Sequence, residues 1–195
     1  MLLLAVVAVG TLAANGSRQL RHAAAALVAV SLAASAIAAG IAVSPQLAVA
    51  ACGALVGAAV LYIAASDAAY GEAAGWRVWL ATLVAAVATP VAFASFRSLS
   101  SETIDVPLLG ADARGVAVEV AAFWLLASGI AILLSARSAV RMSIGAFLMV
   151  GGVQLLVRLT PGAHLGLTLL VSWLQVLISL AGAFLIVNER ATREG

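Results

Sequence analysis

Residues 115–136 read GVAVEVAAFWLLASGIAILLSA. This run decides the fold. It matches the roughly 20 residues a helix needs to cross a ~30 Å hydrocarbon layer, and its one charge is Glu119. Between Arg21 and Arg190 there are at least five apolar stretches of about 19 to 24 residues, and only this one is charged. Outer-membrane barrels use short segments that alternate apolar and polar residues. These runs are continuously apolar, so helices are expected instead. A mean hydropathy of +1.18 and 9% charged residues leave little room for a soluble reading. The fold class is therefore all-α: a polytopic transmembrane helical bundle, with residues 1–195 forming a single integral membrane domain.

On either side of that run, the spacing predicts about seven spans. The first is Met1 to about Ala14. Leu12-Ala13-Ala14 resembles a signal-peptide cleavage site, but no basic residue precedes the apolar run. The span is expected to stay, and cleavage would leave six. Span two covers about Ala23–Val43. Ser44 and Pro45 suit a helix start for span three, about Gln46–Ser66. Span four is about Val78–Phe96, with a kink expected at Pro90. Span five is about Gly115–Ala136. Span six, about Met142–Val157, is short and bracketed by Arg141 and Arg158. Span seven is about Leu165–Asn188.

The arginines sort by side. With seven spans, one side carries Arg18, Arg21, Arg77, Arg137, Arg141, Arg190 and Arg193. The other carries Arg97, Arg114 and Arg158. Cytoplasmic loops are richer in Lys and Arg, so the N-terminus is expected outside and the C-terminus in the cytoplasm. The longest connection, between Arg97 and Arg114, holds Glu102, Asp105 and Asp112 and reads as a solvated loop. No basic cluster interleaves with aromatics, so nucleic acid is not an expected partner. Cys52 is the single cysteine, which excludes disulfides and cysteine metal sites within one chain.

In lipid, burial alone does not drive helices together, whereas close packing of small residues does. Gly53 and Gly57 in span three, and Gly145, Gly151 and Gly152 in span six, are the candidates for such contacts. Trp76 and Trp79 suit an interfacial belt. Trp124 and Trp173 fall mid-span and are expected to pack against protein or acyl chains.

Ionisable groups at depth would mark a proton or ion path, because charge in hydrocarbon is costly. Glu119 is the best placed, about one turn inside span five. A structural ion pair, with Arg158 or His164, or a snorkelling interfacial acid is expected, with a transport role the alternative. Gln154 and Gln175 are expected to bond across helices or to line a wet cavity. No phosphate loop, nucleophile elbow or paired carboxylate motif occurs, and a lone His164 makes no metal site. No catalytic, cofactor or metal residues are therefore assigned.

From Ser135 the chain reads SARSAVRMSIGAFLMVGGVQLL. Arg137 and Arg141 stand four apart, followed by Ile144-Gly145, Leu148-Met149 and Gly152. This stretch resembles the penultimate membrane segment of component E of hydrogenase-4 and formate-hydrogenlyase type complexes. That subunit is related to the small K subunit of the respiratory NADH–quinone oxidoreductase. The layout is similar as well: a short first span, two closely linked spans, a long connection after the fourth, and a charged tail. Two departures stand out. The family carries a membrane glutamate directly after Leu-Met, where this chain has Val150. It also carries a lysine in the third span, where Gly57 and Ala58 lie here. The resemblance implies a non-catalytic integral subunit of a redox-linked membrane complex, without the proton-relay residues of its relatives. Other membrane subunits and the lipid bilayer would be its partners, in the plasma membrane of a prokaryote. A small secondary transporter or channel is the alternative, and an integral-membrane enzyme or assembly factor ranks third.

Overall fold

Each apolar run becomes one helix, because hydrocarbon offers backbone N–H and C=O groups no partner outside the segment itself. A computed structural model describes residues 2–17, 19–39, 44–64, 75–102, 113–159 and 165–194. Among them the helices are α1 (Leu2–Gly16), α2 (Leu20–Ala38), α3 (Ser44–Ala64), α4 (Trp76–Glu102), α5 (Ala113–Ser135), α6 (Ala139–Leu159) and α7 (Leu165–Glu194). Six of the seven are long and apolar enough to cross a membrane. α1, at 15 residues, reaches about 22 Å.

The helices form two rows. α4, α5, α6 and α7 are neighbours in that order, as are α1, α2 and α3. α3 closes one edge against α7, α2 lies across α5 and α6, and α1 touches α5. The middle of the bundle is therefore α6 and α5, with 61% and 50% of their spanning windows buried, against 22% for α4. The outer faces of α4 and α7 expose Leu83, Val87 and Val91, and Leu170, Trp173 and Phe184. Such broad apolar surface belongs against acyl chains, and the chain is membrane-embedded.

Small residues set the closest contacts. A Cβ on Gly129 would lie 2.6 Å from Met149 N, and one on Gly145 would lie 2.9 Å from Gly129 O. A Cβ on Gly152 would lie 2.8 Å from Ala122 O. Ala122 and Gly129 are seven apart on α5, as are Gly145 and Gly152 on α6. Two turns of helix separate each pair, so the two backbones touch twice along one seam. Gly53 and Gly57 do the same for α3, meeting Ser172 and Ser179 of α7. Gly151 is not part of this seam; its nearest neighbour is Leu125 Cδ1 at 3.9 Å.

Several boundaries differ from the sequence reading. α6 is longer than the expected Met142–Val157, and Arg141 and Arg158 lie within it, only 4% and 5% exposed. They do not mark its ends. Its start is held otherwise: the Ala139 N–H donates to Glu189 Oε2 at 2.9 Å, and the Arg141 N–H to Ser138 Oγ at 3.5 Å. The first N–H groups of a helix lack internal partners, and acceptors there also meet the positive end of the helix dipole. α2 ends at Ala38 rather than Val43. α4 continues through Pro90 to Glu102, and α7 continues beyond Asn188 to Glu194.

Cross-helix contacts sort the ends as the alternating layout requires. The Arg21 guanidinium at the start of α2 lies 5.7 Å from the Tyr62 ring near the end of α3. Asn15 Nδ2 at the end of α1 donates to Val78 O at the start of α4, at 3.4 Å. α1 is packed into the bundle, with Val7 and Ala14 buried and the Trp124 indole N–H donating to Thr11 Oγ1 at 2.7 Å. Trp124 thus packs against protein, whereas Trp173 is 65% exposed on the outer face.

Candidate functional site

Polar residues at helical spacing converge where α2, α6 and α7 meet. Gln154 and Arg158 stand four apart on one face of α6. Ser172 and Gln175 stand three apart on α7, and Ser31 and Ser35 four apart on α2. Gln154, Arg158, Gln175, Ser31 and Ser35 line one cavity of about 20 Å³, with Phe147 and Leu125 among its apolar walls. A cavity of that size takes about one water-sized group.

The bonding inside is partial. Gln154 Nε2 donates to Ser172 Oγ at 2.9 Å, joining α6 to α7. Ser31 Oγ donates back to Leu27 O and Ser179 Oγ to Gln175 O, so these hydroxyls are tied to their own helices. Gln175 is 1% exposed, and its Oε1 has no partner among the described residues. Arg158 Nε and Nη1 are likewise buried without an acceptor among the described residues.

Side-chain direction explains why residues at different depths meet here. Cα–Cβ bonds tilt toward a helix's N-terminus. α6 and α7 are consecutive and antiparallel, so Arg158 leans from its end of α6 into the bundle. Gln175, ten residues into α7, leans back toward that same end. The result is one polar cleft at the end of the bundle where α6 stops and α7 starts.

Glu119 lies elsewhere. It is 1% exposed and accepts from Arg97 Nε at 3.0 Å. Glu119 is therefore ion-paired, but with Arg97 of α4 and not with Arg158, and it is buried rather than snorkelling to an interface. His164 falls outside the described residues. The rotation of α5 decides the partner: Ala122 and Gly129 are committed to α6, which turns Glu119 and Phe123 toward α4. There Phe123 meets Phe96 with ring centroids 5.4 Å apart. Arg97 also stacks over Phe93, 5.1 Å from its centroid.

Of the four polar candidates, then, Gln154, Arg158 and Gln175 share one cleft and Glu119 stands apart. The serines Ser31, Ser35 and Ser172 were not singled out from the sequence, although their spacing on single faces was visible. A second small cavity, of about 10 Å³, lies among Thr11, Asn15, Trp124 and Ser128. Its Asn15 Oδ1 and Ser128 Oγ lack partners among the described residues. No group of three or more His, Cys, Asp or Glu side chains that could hold a metal occurs among the described residues. No protein-family model, curated protein or solved structure matches the chain.

Proposed function

We propose that this chain is a non-catalytic integral subunit of a larger redox-linked membrane complex, one that packs the membrane arm rather than conducting protons. The observation that carries this reading is the filling of the positions where a relay would run. Val150, where similar subunits carry a glutamate, is 2% exposed inside the bundle. Gly57, near the place of their lysine, is pressed against Ser179 Oγ and Phe147, leaving no room for a long basic side chain. Glu119 is engaged by Arg97. The redox-linked character itself rests on the resemblance of residues 135–156 to hydrogenase-4 component E. The arginine asymmetry supports an orientation with the N-terminus outside and the C-terminus cytoplasmic, and the same resemblance implies the plasma membrane of a prokaryote.

Mass spectrometry of proteins retained after gentle detergent extraction tests the proposal. Large antiporter-like membrane subunits and a soluble iron–sulfur module are expected alongside the chain. A stable monomer that purifies alone overturns it. The cleft of Gln154, Arg158 and Gln175 favours a second reading, a small secondary transporter. Solute flux in proteoliposomes of the purified chain, abolished by Gln154→Leu, would support that reading instead.

A further inference from the structure

The first turn of α4 carries a charge of the wrong sign for its place. It holds Arg77 and no acid, although the positive end of a helix dipole favours anions. The Arg77 guanidinium lies 5.9 Å from the Trp76 ring centroid, and no carboxylate pairs with it among the described residues. Glu119 is held by Arg97, and Glu189 accepts from the start of α6. Arg77 also lines an open groove of about 300 Å³ between α4 and α5. The groove follows from side-chain length. Ala81 and Ala131 are buried at its floor, whereas Leu80, Val84 and Leu134 stand exposed along it. Arg77, Leu80 and Val84 repeat at three and four residues, so they share one face of α4 and run about 10 Å along it. Helix ends set the depth. α4 starts at Trp76 and α5 stops at Ser135, and both residues line the groove. α5 has 23 residues, about 34 Å, little more than the ~30 Å hydrocarbon core. Ser135 therefore stands at a membrane boundary, a level that Trp76 also suits. Arg137, exposed two residues further on, adds a second positive charge there.

We propose that this groove binds an anionic phospholipid, with Arg77 holding the headgroup phosphate and one acyl chain lying along Leu80, Val84 and Leu134. Charge selects the occupant. Any acyl chain suits the walls, but a half-buried guanidinium at a helix N-terminus asks for an anion at the same height. Basic sites between transmembrane helices select anionic headgroups for this reason, and such lipids concentrate in the cytoplasmic leaflet. By the alternating layout this is the arginine-rich end of the bundle. The inference rests on this chain's own residues and not on the complex-subunit reading.

The test uses the full-length chain in mild detergent, with any subunits that accompany it. Phosphatidylglycerol or phosphatidylcholine of the same acyl composition is added, and binding is read by native mass spectrometry and by thermal unfolding. A ligand of the folded state raises the unfolding temperature with its concentration. Phosphatidylglycerol is expected to do so at lower concentration than phosphatidylcholine. Arg77→Gln should weaken phosphatidylglycerol binding about tenfold, as for one lost charge-assisted hydrogen bond, and erase the preference. Arg114→Gln, at the opposite end of α5, should retain it. In the wild-type protein the preference should fade as sodium chloride is raised, a readout that needs no variant to fold. Equal response to the two lipids, a preference indifferent to salt, or one that survives Arg77→Gln overturns the proposal. So does cross-linking of Leu134→Cys, in a Cys52→Ala background, to another protein chain in intact membranes, because a partner helix would then cover the groove.

Discussion

The pair between Arg97 and Glu119 predicts an asymmetry. Its geometry is simple: one 3.0 Å bond from Nε to Oε2, with the arginine side chain 37% exposed and the glutamate 1% exposed. Glu119→Gln removes the buried charge and keeps an acceptor for Arg97, whose open side can turn to water. Solvent screening of the exposed partner limits that loss to about 1 kcal/mol. Arg97→Gln does the reverse and strands a carboxylate among α4 and α5 side chains, where a lone buried charge costs about 3–5 kcal/mol. For a chain of this size about 1 kcal/mol moves the unfolding temperature by roughly 2–4 °C. Arg97→Gln should therefore lower the unfolding temperature by on the order of 10 °C, and Glu119→Gln by about 2–4 °C. The double variant should sit closer to Glu119→Gln than to Arg97→Gln. Thermal unfolding in one detergent, read by a double-mutant cycle, measures all three. Equal damage from the two single changes would refute the buried-acid argument. Loss of proton translocation in an assembled complex carrying Glu119→Gln would refute the structural role assigned to this residue.

Three further outcomes follow from the packing. Gly129→Leu should push α5 off α6, because even a Cβ there meets Met149 N at 2.6 Å. A loss of about 1–3 kcal/mol is expected in thermal unfolding, whereas Gly151→Ala, whose Cβ would make only an ordinary contact with Leu125 Cδ1 at 3.9 Å, should be nearly silent. Glu189→Ala should cost about 1 kcal/mol by removing the acceptor at the start of α6, read as faster hydrogen exchange at Ala139 and its neighbours. In a Cys52→Ala background, single cysteines replacing Arg137 and Arg114 should label from opposite sides of the membrane, with Arg137 on the cytoplasmic side. Labelling of both from one side would end the alternating layout.

Much of this architecture was legible because apolar run length and helix count are local properties. Gly53, Gly57, Gly145 and Gly152 could be named as contact points from glycine alone, since glycine weakens a helix unless close approach repays it. Helix rotation was not legible. Glu119 could be placed one turn inside α5 by counting residues, but whether it faced α4 or α6 depended on which face the Ala122–Gly129 seam claimed. That seam needs both helices to be read together. The arginines misled for a related reason. Arg141 and Arg158 look like membrane boundaries when charge is taken to mean water. In the folded chain the start of α6 is held by Ser138 and Glu189, the latter 50 residues away. The polar cleft lay between these limits: each of its faces shows a three- or four-residue spacing, but their convergence depends on opposite side-chain tilts in antiparallel helices.

Among the described residues, buried polar atoms without partners gather in two main places, and charge separates them. Asn15 Oδ1 and Ser128 Oγ share the cavity between α1, α4 and α5. Both are neutral, one can only accept, and a single water could satisfy both at little entropic cost. Arg158 Nε, Arg158 Nη1 and Gln175 Oε1 share the other cavity. A water can accept from arginine and donate to glutamine, but it brings no counter-charge, so the guanidinium would stay uncompensated in a low dielectric. Arg158→Met removes that charge and leaves apolar walls, so the variant is expected to be at least as stable as the wild type in thermal unfolding. A loss of about 3–5 kcal/mol instead, the cost of breaking a buried pair, would refute the view that the guanidinium stands uncompensated.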